Sequence, residues 1–67
     1  MILLNGEQSK LAEGETLAAV LERLGVTVAQ RGVAVAVDGE VVPRAQWQSF
    51  ELSEHARVEV LTAMQGG

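Results

Sequence analysis

Residues 16–25 read TLAAVLERLG, and this segment decides the fold class because it holds the clearest helix pattern in the chain. Its apolar residues recur at the spacing of one helical face, at Leu17, Val20, Leu21 and Leu24. Thr16 precedes them, and its hydroxyl can cap a helix by accepting a hydrogen bond from a free backbone N–H. Gly25 follows them, as glycine commonly does just past a helix end. The segment therefore predicts one amphipathic helix.

The residues before this helix predict a β-hairpin. Residues 1–4 are apolar, and Asn5-Gly6 follows them directly. Asn-Gly between two strand-like segments is the strongest short-range hairpin signal, because both turn residues need a positive φ. Residues 7–11 would form the return strand, and their weak alternation indicates a short strand at a sheet edge.

The residues after the helix change to a period of two, which is typical of strands. One side of the first strand carries Val33, Val35 and Val37, and the other side carries Ala34 and Ala36. Asp38-Gly39 predicts a second tight turn, and residues 40–42 predict a short strand. Pro43 prevents a central strand from continuing and suits the start of a short helical turn. We expect Trp47, at the end of that turn, to close one end of the core.

The last predicted strand covers residues 57–64. Its alternation places Val58 and Val60 inward, and Glu59 and Leu61 outward. One helix cannot cover both faces of such a sheet, so it must pack across one face. The sequence therefore predicts an α+β fold, with a mixed sheet of four to five strands and one helix on one face, in a single domain over residues 1–67.

Composition disfavours several classes of function. The chain has 67 residues, with five basic and nine acidic side chains and a net charge of −4. Nucleic-acid binding needs clustered basic residues, so we expect no nucleic-acid partner. An acidic surface fits a basic protein partner better. A chain of this length has a thin core with little room for a catalytic cleft, so we expect a protein that is not itself an enzyme.

The residue types present also limit the chemistry. The chain contains no cysteine and a single histidine, His55, so we expect no metal site and no bound cofactor. It shows neither a signal-peptide pattern nor an apolar run long enough to span a membrane. The expectation is a cytoplasmic protein that does not contact membranes.

The C-terminal segment is the most unusual part of the sequence. It reads Gln65-Gly66-Gly67, and we expect a flexible tail over about residues 64–67. Glycine has no Cβ, so such a tail can enter a narrow tunnel and present an unhindered acyl carbon. The α-carboxyl group has a pKa of about 3.3–3.7, so at neutral pH it is a carboxylate that can attack the α-phosphorus of ATP. Gly67 is therefore the candidate reactive residue.

Several of these motifs together resemble a known family. Asn5-Gly6-Glu7, Gly14-Glu15-Thr16, the segment VVPRAQW at residues 41–47 and the final Gly66-Gly67 look like the ThiS sulfur carriers of thiamine biosynthesis. The resemblance covers nearly the whole chain. It departs from the family at residues 53–56, where Ser-Glu-His-Ala stands in place of a Gly-Asp turn.

The resemblance implies a ubiquitin-like β-grasp fold and a specific reaction sequence. Gly67 would be adenylated with ATP by a ThiF-type enzyme and converted to a thiocarboxylate. A sulfur source such as a cysteine desulfurase would supply the sulfur of this thiocarboxylate. Thiazole synthase of the ThiG type would then use the thiocarboxylate as its sulfur donor. Since the chain has no cysteine, the C-terminal acyl group is the place where it could carry sulfur.

The outward side chains of the sheet predict a partner interface. These residues are Leu3, Ala34, Ala36, Leu61 and Ala63. An apolar sheet face without a covering helix usually marks a contact surface. The alternative is that the loops over residues 27–32 and 43–50 cover this face.

Other functions share parts of this pattern. The sulfur could go to molybdopterin synthesis or to tRNA thiolation. The chain could also be a ubiquitin-like modifier of other proteins, or a β-grasp binding module in which Gly-Gly has no chemical role.

Overall fold

A computed structural model describes residues 1–26 and 31–62, and it contains five strands, one α-helix and one short 3-10 helix. The strands are β1 (Ile2–Leu4), β2 (Glu7–Ser9), β3 (Val33–Val37), β4 (Glu40–Val41) and β5 (Arg57–Thr62). The helix α1 spans Leu17–Arg23, and the 3-10 turn spans Arg44–Gln46. The order of the strands in the sheet is β2-β1-β5-β3-β4. β1 and β5 are parallel, whereas the other neighbouring pairs are antiparallel.

Both predicted hairpin turns are confirmed. Asn5 and Gly6 have φ values of 49° and 86°, and Asp38 and Gly39 have values of 51° and 86°. Two consecutive positive φ values define the tight turn whose twist matches the flanking strands, and they explain why Asn-Gly and Asp-Gly occur here. β2 ends at Ser9, earlier than predicted, and it lies at a sheet edge as expected.

The helix begins as predicted but ends differently. Thr16 caps it, with its Oγ1 accepting a hydrogen bond from the Ala19 N–H at 3.3 Å. Leu24 was predicted to share the buried face, and this is wrong, because its side chain is 47% exposed. Gly25 turns the chain back with φ 80°, and the Val26 N–H donates to the Leu21 carbonyl at 3.0 Å. This is the Schellman end of a helix, and it places Val26 in the core instead.

The core lies between α1 and the inner face of the sheet. It contains Leu17, Val20 and Leu21 of the helix, together with Ile2, Leu4, Val35, Val37, Val58 and Val60 of the strands. Trp47 closes one end and is 1% exposed, as predicted. Its indole N–H donates to the Val42 carbonyl at 2.9 Å, so burial leaves no polar atom of this side chain unpaired. The mixed five-stranded sheet with one helix on one face confirms the predicted fold class.

The turn before β5 forms although it lacks the expected Gly-Asp. The Ala56 N–H donates to the Ser53 carbonyl at 3.1 Å, and His55 takes the left-handed position with φ 70°. β5 follows and alternates as predicted, with Val58 and Val60 buried. The predicted continuation of this strand to residue 64 lies outside the described residues.

Candidate functional site

The candidate reactive end of the chain lies beyond the described residues. Gly67, Gly66, Gln65 and Ala63 all belong to the segment that the structure does not describe, and so does the predicted flexible tail. The geometry of the site is therefore built from β5, which leads into this segment. β5 lies in the middle of the sheet between β1 and β3, and Thr62 is its last described residue.

The outer face of the sheet carries an apolar groove beside the end of β5. Ala34 of β3 pairs with Leu61 of β5, and Ala36 pairs with Glu59 on one side and Val41 on the other. We call these five residues the outer patch. Leu61 and Val41 are 70% and 75% exposed, and the small alanines between them leave a groove of about 110 Å³. The segment at residues 43–50 therefore does not cover these two side chains, as the alternative would require.

The structure brings together three of the five predicted interface residues, namely Ala34, Ala36 and Leu61. Leu3 lies on the same face but elsewhere, because β1 pairs it with Arg57 at the opposite end of β5. Leu61 follows Arg57 by four positions along the strand, which corresponds to roughly 13 Å. Ala63 lies outside the described residues, so its membership of the interface stays a prediction.

Val41 belongs to the outer patch and is not among the interface residues predicted from the sequence. The sequence does indicate one outward valine here, because Val41 and Val42 are adjacent in a short predicted strand and only one of them can face inward. Val42 is buried and its N–H donates to the Val35 carbonyl at 2.9 Å, which leaves Val41 facing outward. Glu59 is the charged member of the patch and is also exposed.

The surroundings of Leu3 are tied to the start of β5. The Met1 carbonyl accepts a hydrogen bond from the His55 N–H at 2.8 Å, and the Met1 ammonium group pairs with the Glu54 carboxylate. This ammonium group, by hydrogen bonding and by its charge, lowers the pKa of Glu54 below its usual value. Leu3 is half-buried beside a cavity of about 180 Å³ that Met1 and His55 also line. At this end of the sheet, Leu3 is therefore partly covered by residues of its own chain.

Two turn residues hold β5 through their side chains, one at the first residue of the strand and one at Val60. The Asp38 Oδ1 accepts a hydrogen bond from the Arg57 N–H at 3.0 Å, at the first residue of the strand. The Asn5 Oδ1 accepts from the Val60 N–H at 2.8 Å, and the Asn5 Nδ2 donates to the Val60 carbonyl at 3.3 Å. These contacts fix the strand from which the C-terminal segment departs.

The remaining candidate features of the described residues concern metal binding, membrane spans, Trp47 and His55. Within residues 1–26 and 31–62, no group of three or more acidic or histidine side chains could hold a metal ion. Over the same ranges, no helix is long and apolar enough to cross a membrane. Trp47 is buried, so it packs in the core and is not a surface anchor for a partner. The guanidinium of Arg44 lies 5.5 Å from its ring centroid. His55 is exposed on its turn.

Comparison with known proteins gives consistent results at the levels of sequence and structure. The model of the ThiS family matches residues 2–67. The sulfur carrier protein ThiS of Escherichia coli (strain K12) is 30% identical over 66 residues, which are 98% of this chain and 97% of that protein.

Two solved structures are also similar. The crystal structure of the thiamine biosynthesis protein ThiS from Geobacter metallireducens has a TM-score of 0.76 and 32% identity, covering 98% of this chain and 97% of that one. An NMR solution structure of a thiamine biosynthesis protein from the same organism has a TM-score of 0.73 and 29% identity, covering 98% and 86%.

Proposed function

The chain belongs to the ThiS family, the small sulfur carriers of thiamine biosynthesis, and from this premise we propose that the α-carboxylate of Gly67 is its sulfur-carrying group. A ThiF-type enzyme adenylates this carboxylate with ATP, and the product becomes a thiocarboxylate that serves thiazole synthase as sulfur donor. The observation that supports this proposal most directly is that the family match extends through Gly66 to Gly67.

The chemistry requires little of the carrier beyond a free acyl end. A carboxylate oxygen attacks the α-phosphorus of ATP and expels pyrophosphate, which leaves an acyl adenylate. A sulfide nucleophile then attacks the acyl carbon and expels AMP, so that one oxygen of the original carboxylate is replaced by sulfur. Gly67 suits both steps because no Cβ crowds its acyl carbon. The carrier has no cysteine on which sulfur could travel as a persulfide.

The outer patch supports docking of the activating enzyme. Leu61 stands six positions before Gly67 on the strand that leads to the reactive end, so a partner that holds the tail also comes close to this face. The patch is apolar apart from Glu59, and the chain carries a net charge of −4. A partner with an apolar contact surface and a basic residue facing Glu59 therefore fits best. Leu3 and Ala63 are proposed as outlying members of the same interface.

Mass spectrometry of the intact chain tests the proposal. The purified protein is incubated with ATP, sulfide and a ThiF-type enzyme that is active on the Escherichia coli carrier. We expect the mass to rise by the exchange of one oxygen for sulfur, with fragment ions locating the change at Gly67. Addition of thiazole synthase and its other substrates should then return the carrier to its carboxylate form.

A chain with one alanine appended after Gly67 is the matched control. It should fold like the original chain by circular dichroism and stay unmodified, because its terminal carboxylate no longer belongs to Gly67. Two outcomes would contradict the proposal. One is that the chain with the appended alanine gains sulfur. The other is that the mass of the original chain stays unchanged while the Escherichia coli carrier is modified in the same experiment.

A further inference from the structure

Asn5 occupies the turn between β1 and β2, yet the hydrogen bonds of its side chain go to β5, at Val60. β1 runs beside β5 and ends at Leu4, where the chain turns away. The Asn5 backbone N–H still donates to the Val58 carbonyl at 2.9 Å, as a further strand residue would. Main-chain groups that face one neighbour recur at every second residue of a strand, so those of Val60 face the same side as those of Val58.

The Asn5 side chain takes the place of the missing strand at Val60. A carboxamide carries one acceptor and a donor group, as a peptide unit does, and the Asn5 amide binds both the N–H and the carbonyl of Val60. The ladder between β1 and β5 is thereby extended by one residue after β1 itself has ended. On its other edge β5 pairs with β3 as far as Thr62.

Asp38 provides a natural comparison. It occupies the same first position of an equivalent turn, with a similar positive φ, and its carboxylate accepts a single hydrogen bond from the Arg57 N–H. A carboxylate accepts but does not donate, so aspartate suits a lone N–H. Asparagine suits Val60, where an N–H and a carbonyl must both be paired.

We infer that Asn5 is a positioning residue for the C-terminal segment: its amide is the last contact that holds β5 from the β1 side before the chain continues to Gly67. This inference rests on the proposed function of Gly67. The seven residues from 61 to 67 can span at most about 24 Å, so their starting point limits where Gly67 can reach on a partner docked at the outer patch. Without the Asn5 amide, the N–H and carbonyl of Val60 lose these partners, and β5 is held here only through the pairing of its neighbouring residues with β3.

The test compares Asn5→Gly with Asp38→Gly. Glycine adopts positive φ freely, so each variant keeps its turn and loses only the side-chain hydrogen bonds to β5. The first measurement is amide hydrogen exchange at Val60, whose N–H donates to the Asn5 side chain. The second is kcat and KM for thiocarboxylate formation with the activating enzyme, ATP and sulfide, at a temperature where all variants are folded.

Asn5→Gly should speed exchange at the Val60 amide and lower kcat roughly fivefold, the equivalent of about one net hydrogen bond. The KM for the carrier should change by less than about twofold, because the outer patch is intact. Asp38→Gly should leave kcat at its original value. Asn5→Asp keeps the acceptor for the Val60 N–H and loses the donor to its carbonyl, so it should give an intermediate kcat and replace Asn5→Gly if that variant fails to fold.

Three results would overturn the inference. One is an unchanged kcat in Asn5→Gly despite faster Val60 exchange, and another is an equal fall of kcat in Asp38→Gly, which would assign the effect to stability alone. The third is unchanged exchange at the Val60 amide in Asn5→Gly. If the original chain itself is not modified, the proposed function fails, and amide exchange alone then decides whether Asn5 holds the end of β5.

Discussion

The two faces of β5 have opposite surroundings although their residues alternate along one strand. Val58 and Val60 point into the core, where they meet the helix and the other inner strands. Glu59 and Leu61 point outward, and Leu61 remains 70% exposed. Residues next to each other in sequence therefore serve folding on one side and, in our proposal, partner docking on the other. Substitutions at adjacent positions can separate the two roles.

The largest effect is expected from Val60→Arg. The substitution puts a charge without a partner on the inner face, and an uncompensated buried charge destabilises a protein by about 3–5 kcal/mol. That is comparable to the whole stability of a domain this small, at about 0.05–0.15 kcal/mol per residue. We expect the variant to lose its cooperative thermal transition, as followed by circular dichroism. A normal transition would show that Val60 is not a core residue.

A smaller and different effect is expected from Leu61→Arg. The protein should fold with a thermal midpoint close to the original, because Leu61 is exposed. Its binding to the activating enzyme, measured by titration calorimetry, should weaken by about 1–3 kcal/mol, as for an interface anchor. Leu61→Lys serves as a second cation at the same site. If the Leu61 variants unfold and Val60→Arg folds, the two faces of β5 have been assigned the wrong way round.

The smallest effect on binding is expected from Leu3→Ser, which shows how far the interface extends. Leu3 shares the outer face but pairs with the opposite end of β5, and its neighbours Met1 and His55 belong to the same chain. The affinity for the activating enzyme should change by less than about 0.5 kcal/mol, because contacts at the margin of an interface are close to energetically neutral. A loss as large as that of Leu61→Arg would extend the interface across the whole sheet.

Local patterns in the sequence were sufficient for most of the fold. Alternation gave the inward and outward residues of β3 and β5, and Asn-Gly and Asp-Gly gave the turns, because each depends on a few adjacent residues. The error at Leu24 has a different origin. Helical spacing alone cannot show that the chain reverses at Gly25 and brings Val26 into the core in its place.

Features that depend on the order of the strands in the sheet could not be predicted from local sequence patterns. The separation of Leu3 from Leu61 follows from the parallel register of β1 and β5, which joins residues far apart in the chain. The contact between Asn5 and Val60 has the same basis. The reactive end shows the opposite relation between sequence and structure: Gly67 is predicted from the sequence, and it lies outside the residues that the structure describes.

The position of β5 also has a consequence for the order of events during synthesis. Before β5 exists, the hairpins β1–β2 and β3–β4 have no strand to join them, since β5 lies between β1 and β3. The pairing of Leu4 with Val58 must also wait for a partner that is made 54 residues later (58 minus 4). Sheets built from such distant pairings form late and slowly. The complete sheet can therefore form only in molecules translated through β5, whose synthesis has come within a few residues of Gly67.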